Sequence, residues 1–356
     1  MNKTSHDIYF QSSTQIANIQ DKSIDLVVTS PPYPMIAMWD DVLMSQNPDI
    51  DLYMKTNPNM AFEMMHQELD KVWIECFRVL KEGGFLCINI GDATRTINGD
   101  FQLYNNHSRV VKKCTEIGFI NLPNIIWRKQ TNAPNKFMGS GMLPCGAYVT
   151  LEHEWILIFR KGGKRQYKKE QEKSARRNSS FFWEERNQWF SDIWDLKGVK
   201  QKMSNPTSRE RSASFPLILP YRLINMYSQQ YDTILDPFLG LGTTTLAAMI
   251  SERNSVGFEI DSQLSNVIQD NILSFTKKDM NDFIYERYKK HLDFILERKK
   301  MGKEVKYRNE VINCEVMTQQ ETDLSFHYIT NISLEKCDRL TFSCEYSLET
   351  DMDFFF

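Results

Sequence analysis

The chain has 356 residues, with 43 Lys+Arg against 46 Asp+Glu, 41% hydrophobic and 12% aromatic. That balance excludes wholesale disorder, collagen-like repeats and coiled coil, and the length allows two domains or one large domain with an appendage. No run of eighteen apolar residues occurs, so no membrane span is expected, and Met1–Asp7 does not read as a secretory signal. The seven cysteines (76, 87, 114, 145, 314, 337, 344) are scattered and never spaced Cys-x-x-Cys, and the six histidines form no cluster. Reduced thiols in a cytoplasmic protein with no metal site are expected.

Taken in chain order, short apolar runs alternate with helical patterns up to about residue 160, which predicts βαβ units and an α/β fold. Ile24 to Thr29 is a compact strand stopped by Pro31-Pro32. Apolar residues at 62, 65, 69, 72, 73, 76, 77 and 80 have the helical period, and Gly83-Gly84 separates that helix from a buried strand over 85–90. A helix over 110–117 stops at Gly118, and strands follow over 120–127 and 155–159. Residues 161–208 break the pattern and read as an insertion. Regular structure resumes with a helix over 215–227, a strand over 233–236, a glycine turn, a helix over 243–251, a strand over 255–259 and a helix to about 275. The remainder, 275–356, reads as an appendage: an amphipathic helix over 283–300, a period-two strand over 340–348, and weaker strands over 311–317 and 324–330.

Charge is unevenly spread. Arg160 to Asn178 holds nine basic residues against Glu170 and Glu172, a net +7, whereas Glu310 to Phe356 carries a net −8. A polyanion is drawn to the first stretch and repelled by the last. Lys164, Arg165, Lys168 and Lys169 are therefore candidate phosphate contacts, the alternative being a solvated loop. The nearby Phe181, Phe182, Trp183, Trp189, Phe190 and Trp194 can brace a recognition surface, wedge into a duplex, or form a small core of their own.

Two constellations carry chemistry. In Thr29-Ser30-Pro31-Pro32-Tyr33, consecutive prolines fix the backbone and remove two N–H donors. Outward carbonyls, the Ser30 hydroxyl and the flat Tyr33 ring suit a planar base with an exocyclic amine; the alternative is a rigid turn closing a strand. In Asp236-Pro237-Phe238-Leu239-Gly240-Leu241-Gly242-Thr243-Thr244, the glycines permit a tight turn and close ligand approach. The lysine of a triphosphate loop is missing before Thr243. Glu259, at the end of the next strand, is placed to accept both ribose hydroxyls of a nucleoside cofactor; the alternative is a glycine-rich turn whose acid caps something local.

These motifs resemble those of the amino-group-specific DNA methyltransferases, which carry Ser/Asn/Asp-Pro-Pro-Tyr and a Phe-x-Gly-x-Gly loop. Here they are Ser30-Pro31-Pro32-Tyr33 and Phe238-Leu239-Gly240-Leu241-Gly242, in the order of the permuted β arrangement. The stretches Glu75 to Gly91, Glu152 to Phe159 and Ser214-Phe215-Pro216 fit the same pattern, and the resemblance covers roughly 7–274. Relatives carry an acid near position 12 and His-Pro ahead of Phe-Pro; this chain has Ser12-Ser13 and Ser212-Ala213-Ser214.

The resemblance implies a Rossmann-like sheet with helices on both faces as a catalytic domain over 1–274, with target recognition near 161–208 and a small α+β appendage over 275–356. It implies S-adenosyl-L-methionine held by Asp236, Phe238, Gly240, Gly242, Thr243, Glu259 and Phe215, and catalysis at Ser30, Pro31, Pro32 and Tyr33. In that scheme Ser30 and the Pro31 carbonyl accept the amine protons, and Tyr33 stacks on the flipped base. Asp92 is a candidate for assisting proton removal, the alternative being a turn-capping role. The partners it implies are double-stranded DNA and a cognate restriction endonuclease; nothing points to an oligomeric state. Because Ser occupies the first motif position, cytosine N4 is the expected target. Adenine N6 on the same scaffold is the alternative, and a non-catalytic DNA-binding partner is the alternative from another class.

Overall fold

A computed structural model describes residues 2–129, 138–198 and 215–348. Eleven strands form one mixed sheet. In chain order its main strands are β1 (Asn2–Tyr9), β2 (Ile24–Thr29), β3 (Leu80–Ile90), β4 (Ile125–Lys129) and β5 (His153–Lys161). They continue with β6 (Ile193–Leu196), β7 (Thr233–Asp236), β8 (Asn254–Phe258), β9 (Tyr328–Lys336) and β10 (Leu340–Ser347). The spatial order is β6-β4-β5-β3-β2-β7-β8-β1-β10-β9, with the short strand Phe119–Asn121 also pairing with β5.

The five central strands, β3, β2, β7, β8 and β1, are mutually parallel, so all their carboxyl ends lie on one side. Every residue of β2 is buried, as a strand covered by helices on both faces requires. One apolar core holds helices Ile218–Tyr227 and Thr243–Ile250, and a second holds helices Pro58–Val79 and Asn106–Ile117. Helix Pro58–Val79 starts where the Asn57 side chain accepts from the Met60 N–H and Pro58 needs no partner. The chain leaves β2 toward β3 but leaves β7 toward β8. The crevice between β2 and β7 is therefore the topological switch point, where sheets of this kind bind ligands.

Three expectations need correction. The strand expected over 120–127 is two pieces, Phe119–Asn121 and β4, separated where Pro123 cannot donate to a ladder. Residues 275–348 do not form a separate appendage. Helix Lys277–Lys300 packs Met280 and Ile284 into the main core, and β10 pairs antiparallel with β1 over seven residue pairs, extending the central sheet. The weaker strands are also redrawn: 307–309 and 314–316 make a small ribbon, and the next strand begins at Tyr328.

The insertion returns a strand, β6, to the sheet edge, and its aromatic residues form a small core against the C-terminal helix. Phe182 stacks on His291 with ring centroids 3.6 Å apart, Trp183 lies on Phe294, and the buried Glu185 accepts two bonds from Arg287 at 2.6 and 2.7 Å. Residues 199–208 of the insertion, Ser214 and the last eight residues of the acidic stretch lie outside the described residues.

Candidate active site

β2 and β7 are hydrogen-bonded neighbours, so the segments that succeed them, Ser30 to Tyr33 and Pro237 to Gly242, emerge side by side. Asp236 ties them together. Its carboxylate accepts from Thr29 Oγ1 and Thr244 Oγ1, each at 2.6 Å, and from the Phe238 N–H at 3.1 Å. Burial pushes this carboxyl up to about 6. Both of its oxygens are thus engaged by the protein, and the structure gives Asp236 the work of holding the glycine loop against the end of β2.

The two segments line one open cleft together with Phe215, Glu259, Ser12, Ser13 and the helical face carrying Val72. Gly240 and Gly242 have φ of +56° and +83°, a region that favours glycine. A Cβ on Gly240 would meet nothing within 4 Å, so the loop is open toward the cleft, whereas one on Gly242 would press Ile272 at 3.1 Å. Glu259 Oε2 accepts from the Gly240 N–H and Oε1 from the Asp261 N–H, both at 3.0 Å. A carboxylate oxygen accepts more than one hydrogen bond, so Glu259 fixes the loop and keeps acceptor capacity. Apolar walls, a glycine cradle and the Glu259 carboxylate fit a nucleoside-bearing cofactor. Ser12 and Ser13 line the cleft at the place where an acid was expected.

Of the tetrapeptide, Ser30 and Pro32 line the cleft, and Tyr33 lies beneath it, 8% exposed. Its ring borders Gly91, where a Cβ would approach to 3.1 Å, so Tyr33 is not an open stacking platform in this structure. Its hydroxyl is 3.1 Å from Ser30 Oγ, donates to Glu154 Oε2 at 2.9 Å and accepts from Asn89 Nδ2 at 2.7 Å. Asn89 Nδ2 also donates to Glu154 at 2.7 Å, and Lys129 pairs with the other Glu154 oxygen. Burial, then the Glu154 charge, raise the Tyr33 phenol well above its ordinary value, so it stays protonated. The loop is pinned from below by buried Asn106, whose Nδ2 donates to the carbonyls of Pro34 and Gly91.

Asp92 caps: it accepts from the His107 N–H at 3.0 Å and pairs with His107 Nδ1 at 2.6 Å at the start of helix Asn106–Ile117. Asn89, Glu154 and Asn106 were missed in the sequence. Asn89 had a signal, being a polar residue inside the apolar strand β3, and so did Glu154, an acid at the mouth of the apolar strand β5.

The basic stretch lies elsewhere. β5 runs antiparallel to β3, with Trp155 opposite Ile90 and Arg160 opposite Phe85, so Lys161 and the residues after it leave at the amino ends of the central strands. Arg165 is already paired within the fold. Its guanidinium donates to both Asp232 oxygens at 2.6 and 3.0 Å and sits 3.3 Å from Asp25. Lys164, Lys168 and Lys169 are exposed, but at the end away from the cleft. β4 and β6 instead end at the cleft side. The hairpin Met138–Gly139/Ala147–Tyr148 that comes after β4 exposes Met142 and Leu143, and its Tyr148 stacks on Phe101 at 4.5 Å.

Among the described residues, no group of three or more His, Cys, Asp or Glu could hold a metal ion, and no helix is long and apolar enough to cross a membrane.

The comparisons agree with this architecture. A sequence model of N6/N4 DNA methylases matches residues 24–270, from the start of β2 into the helix after β8. The chain is 50% identical over 329 residues to the type II methyltransferase M.MthZI of Methanothermobacter thermautotrophicus, covering 92% of this chain and 91% of that one. It is 46% identical over 295 residues to M.MjaI of Methanocaldococcus jannaschii, covering 80% and 96%. TTHA0409 of Thermus thermophilus, crystallised with S-adenosyl-L-methionine, superposes with a TM-score of 0.59 at 30% identity, covering 76% of this chain and 95% of that one. With both motifs on one cleft and the match spanning most of the central sheet, this chain belongs to the N6/N4 DNA methylase family.

Proposed function

We propose that this protein transfers a methyl group from S-adenosyl-L-methionine to the exocyclic N4 of cytosine in duplex DNA, as the modifying half of a cytoplasmic restriction-modification pair. The observation that carries the reading is the adjacency of β2 and β7, which puts the Ser30 loop and the Gly240 loop on one cleft at the switch point. Phe215, Phe238, Gly240, Thr243 and Glu259 line the half that would hold the cofactor, and Gly242 turns the loop into the helix that begins at Thr243. Glu259 offers acceptor capacity to the ribose hydroxyls. When bound, the cofactor supplies an electrophilic methyl group on its sulfonium.

The rest of the work falls to the chain. An exocyclic amine is a poor nucleophile because its lone pair is delocalised into the ring. The Ser30 hydroxyl oxygen and the Pro31 carbonyl accept its two N–H bonds, which draws the nitrogen toward tetrahedral geometry and frees the lone pair. The prolines hold these acceptors without reorganisation, so the gain is chiefly proximity and preorganised electrostatics. Ser30 at the first motif position favours cytosine N4. The duplex approaches from the carboxyl ends of the central strands, where the hairpin bearing Met142 and Leu143 stands, and not over Lys164 to Lys169. Incubating the purified protein with plasmid DNA and methyl-labelled S-adenosylmethionine should move label into DNA. Label remaining wholly with the cofactor would reject the proposal.

A further inference from the structure

We infer that Glu154 acts as a positioning residue that sets the direction of the Ser30 hydroxyl. Tyr33 carries one hydroxyl proton, and the strongest acceptor within reach is the Glu154 carboxylate at 2.9 Å. Asn89 Nδ2 supplies the other hydrogen bonds in this cluster, to Tyr33 and Glu154 at 2.7 Å each and, more weakly, to Ser30 Oγ at 3.5 Å, and it can only donate, so it takes up no hydroxyl proton. The Tyr33 oxygen is therefore an acceptor toward Ser30. Across their 3.1 Å contact the Ser30 hydroxyl must donate, and its proton points inward, under the loop. Its lone pairs are left facing outward, toward the cleft that Ser30 lines. A serine hydroxyl otherwise rotates freely between donating and accepting. Here a carboxylate two hydrogen bonds away makes it an acceptor, which is what an amine with two protons to place requires.

Lys129 keeps the chain of bonds in one sense. It pairs with the Glu154 oxygen that does not meet Tyr33, lies over the Trp127 ring at 4.5 Å, and bonds through its backbone N–H to the Glu152 carbonyl at the mouth of β5. None of these groups reaches the cleft lining, so Glu154 acts through Tyr33 and not on the substrate.

In Glu154→Gln the order reverses. The Gln carbonyl faces Lys129, its amide donates to Tyr33, and the Tyr33 proton turns to Ser30, which then presents its own proton to the amine. Asn89 Nδ2 keeps its bond to Tyr33 and gives up the one to position 154, so Ser30 is left as the acceptor for the Tyr33 proton. This inference rests on Ser30 as the site of transfer, and the test separates the two. Single-turnover methylation by Glu154→Gln should fall by roughly a hundredfold to a thousandfold, as for loss of one preorganised contact. Cofactor affinity and thermal midpoint should stay unchanged, and Glu154→Asp should recover part of the rate. In a Tyr33→Phe background, where the link is cut, Glu154→Gln should cost almost nothing further. The same fold-loss in both backgrounds, or a Glu154→Gln enzyme at wild-type rate, would overturn the role of Glu154. Normal turnover in Ser30→Ala would instead reject the site itself.

Discussion

Asp236→Asn tests how the two motifs are joined. The substitution keeps the side-chain shape, and the Thr29 and Thr244 hydroxyls can rotate to donate to or accept from an amide. What it removes is a charge held in a site 3% exposed. Burial is the main influence on this carboxyl and raises it from 3.8 to about 6, against the hydrogen bonds from Thr244, Thr29 and Phe238 that favour the anion. An acid raised in the folded state binds its proton more tightly there than in the unfolded chain. Stability is therefore lost as pH rises from about 4 through about 6, by about 3 kcal/mol in all. The raw pH slope does not isolate this, because buried His6 and His66 are each held down to about 3 by burial and gain stability over the same rise. The difference between variant and wild type does isolate it. Urea unfolding at about pH 4 and about pH 7 should show Asp236→Asn gaining about 3 kcal/mol relative to the wild type at the higher pH. A difference independent of pH would refute the buried junction.

Ser30→Ala should lower turnover by about 2.7–4 kcal/mol in barrier while leaving cofactor and DNA binding in place, checked by single-turnover kinetics and calorimetry. Glu259→Ala should weaken S-adenosylmethionine binding by about 1.5–3 kcal/mol, read by titration calorimetry on a folded variant. Methylation should persist in EDTA, and its loss on chelation would contradict the mechanism. Arg165→Met should destabilise the fold by about 2–3 kcal/mol, given its partial exposure, and leave the salt dependence of DNA binding unchanged.

What was legible in the sequence was local. The strand Ile24 to Thr29, the glycine turn after Asp236 and Glu259 at the end of its strand each carry their own signal within a few residues, and the structure puts Ser30, Gly240 and Glu259 on the same cleft. What was not legible depended on direction and on distant partners. Lys164 to Lys169 looked like a phosphate surface because charge is visible in sequence. Which end of the sheet a loop leaves from is set by the antiparallel sense of β5, and that is not visible. Arg165 is occupied by Asp232, 67 residues away, and Asp25, far earlier in the chain. The same blindness hid the C-terminal strands, whose partner is β1 at the other end of the chain. Asn89 and Glu154 could have been noticed as polar residues in apolar strands, but their meeting at Tyr33 needs the β3–β5 pairing.

Amino-group methylation of DNA at a cytosine is the proposed activity. It is tested most directly by mass spectrometry of nucleosides from DNA treated with the purified protein and S-adenosylmethionine, with Ser30→Ala as the control. N4-methylcytosine is expected in the wild-type digest and is expected to be nearly absent from the control. N6-methyladenine in its place would contradict the choice of base, and equal methylation by Ser30→Ala would contradict the site.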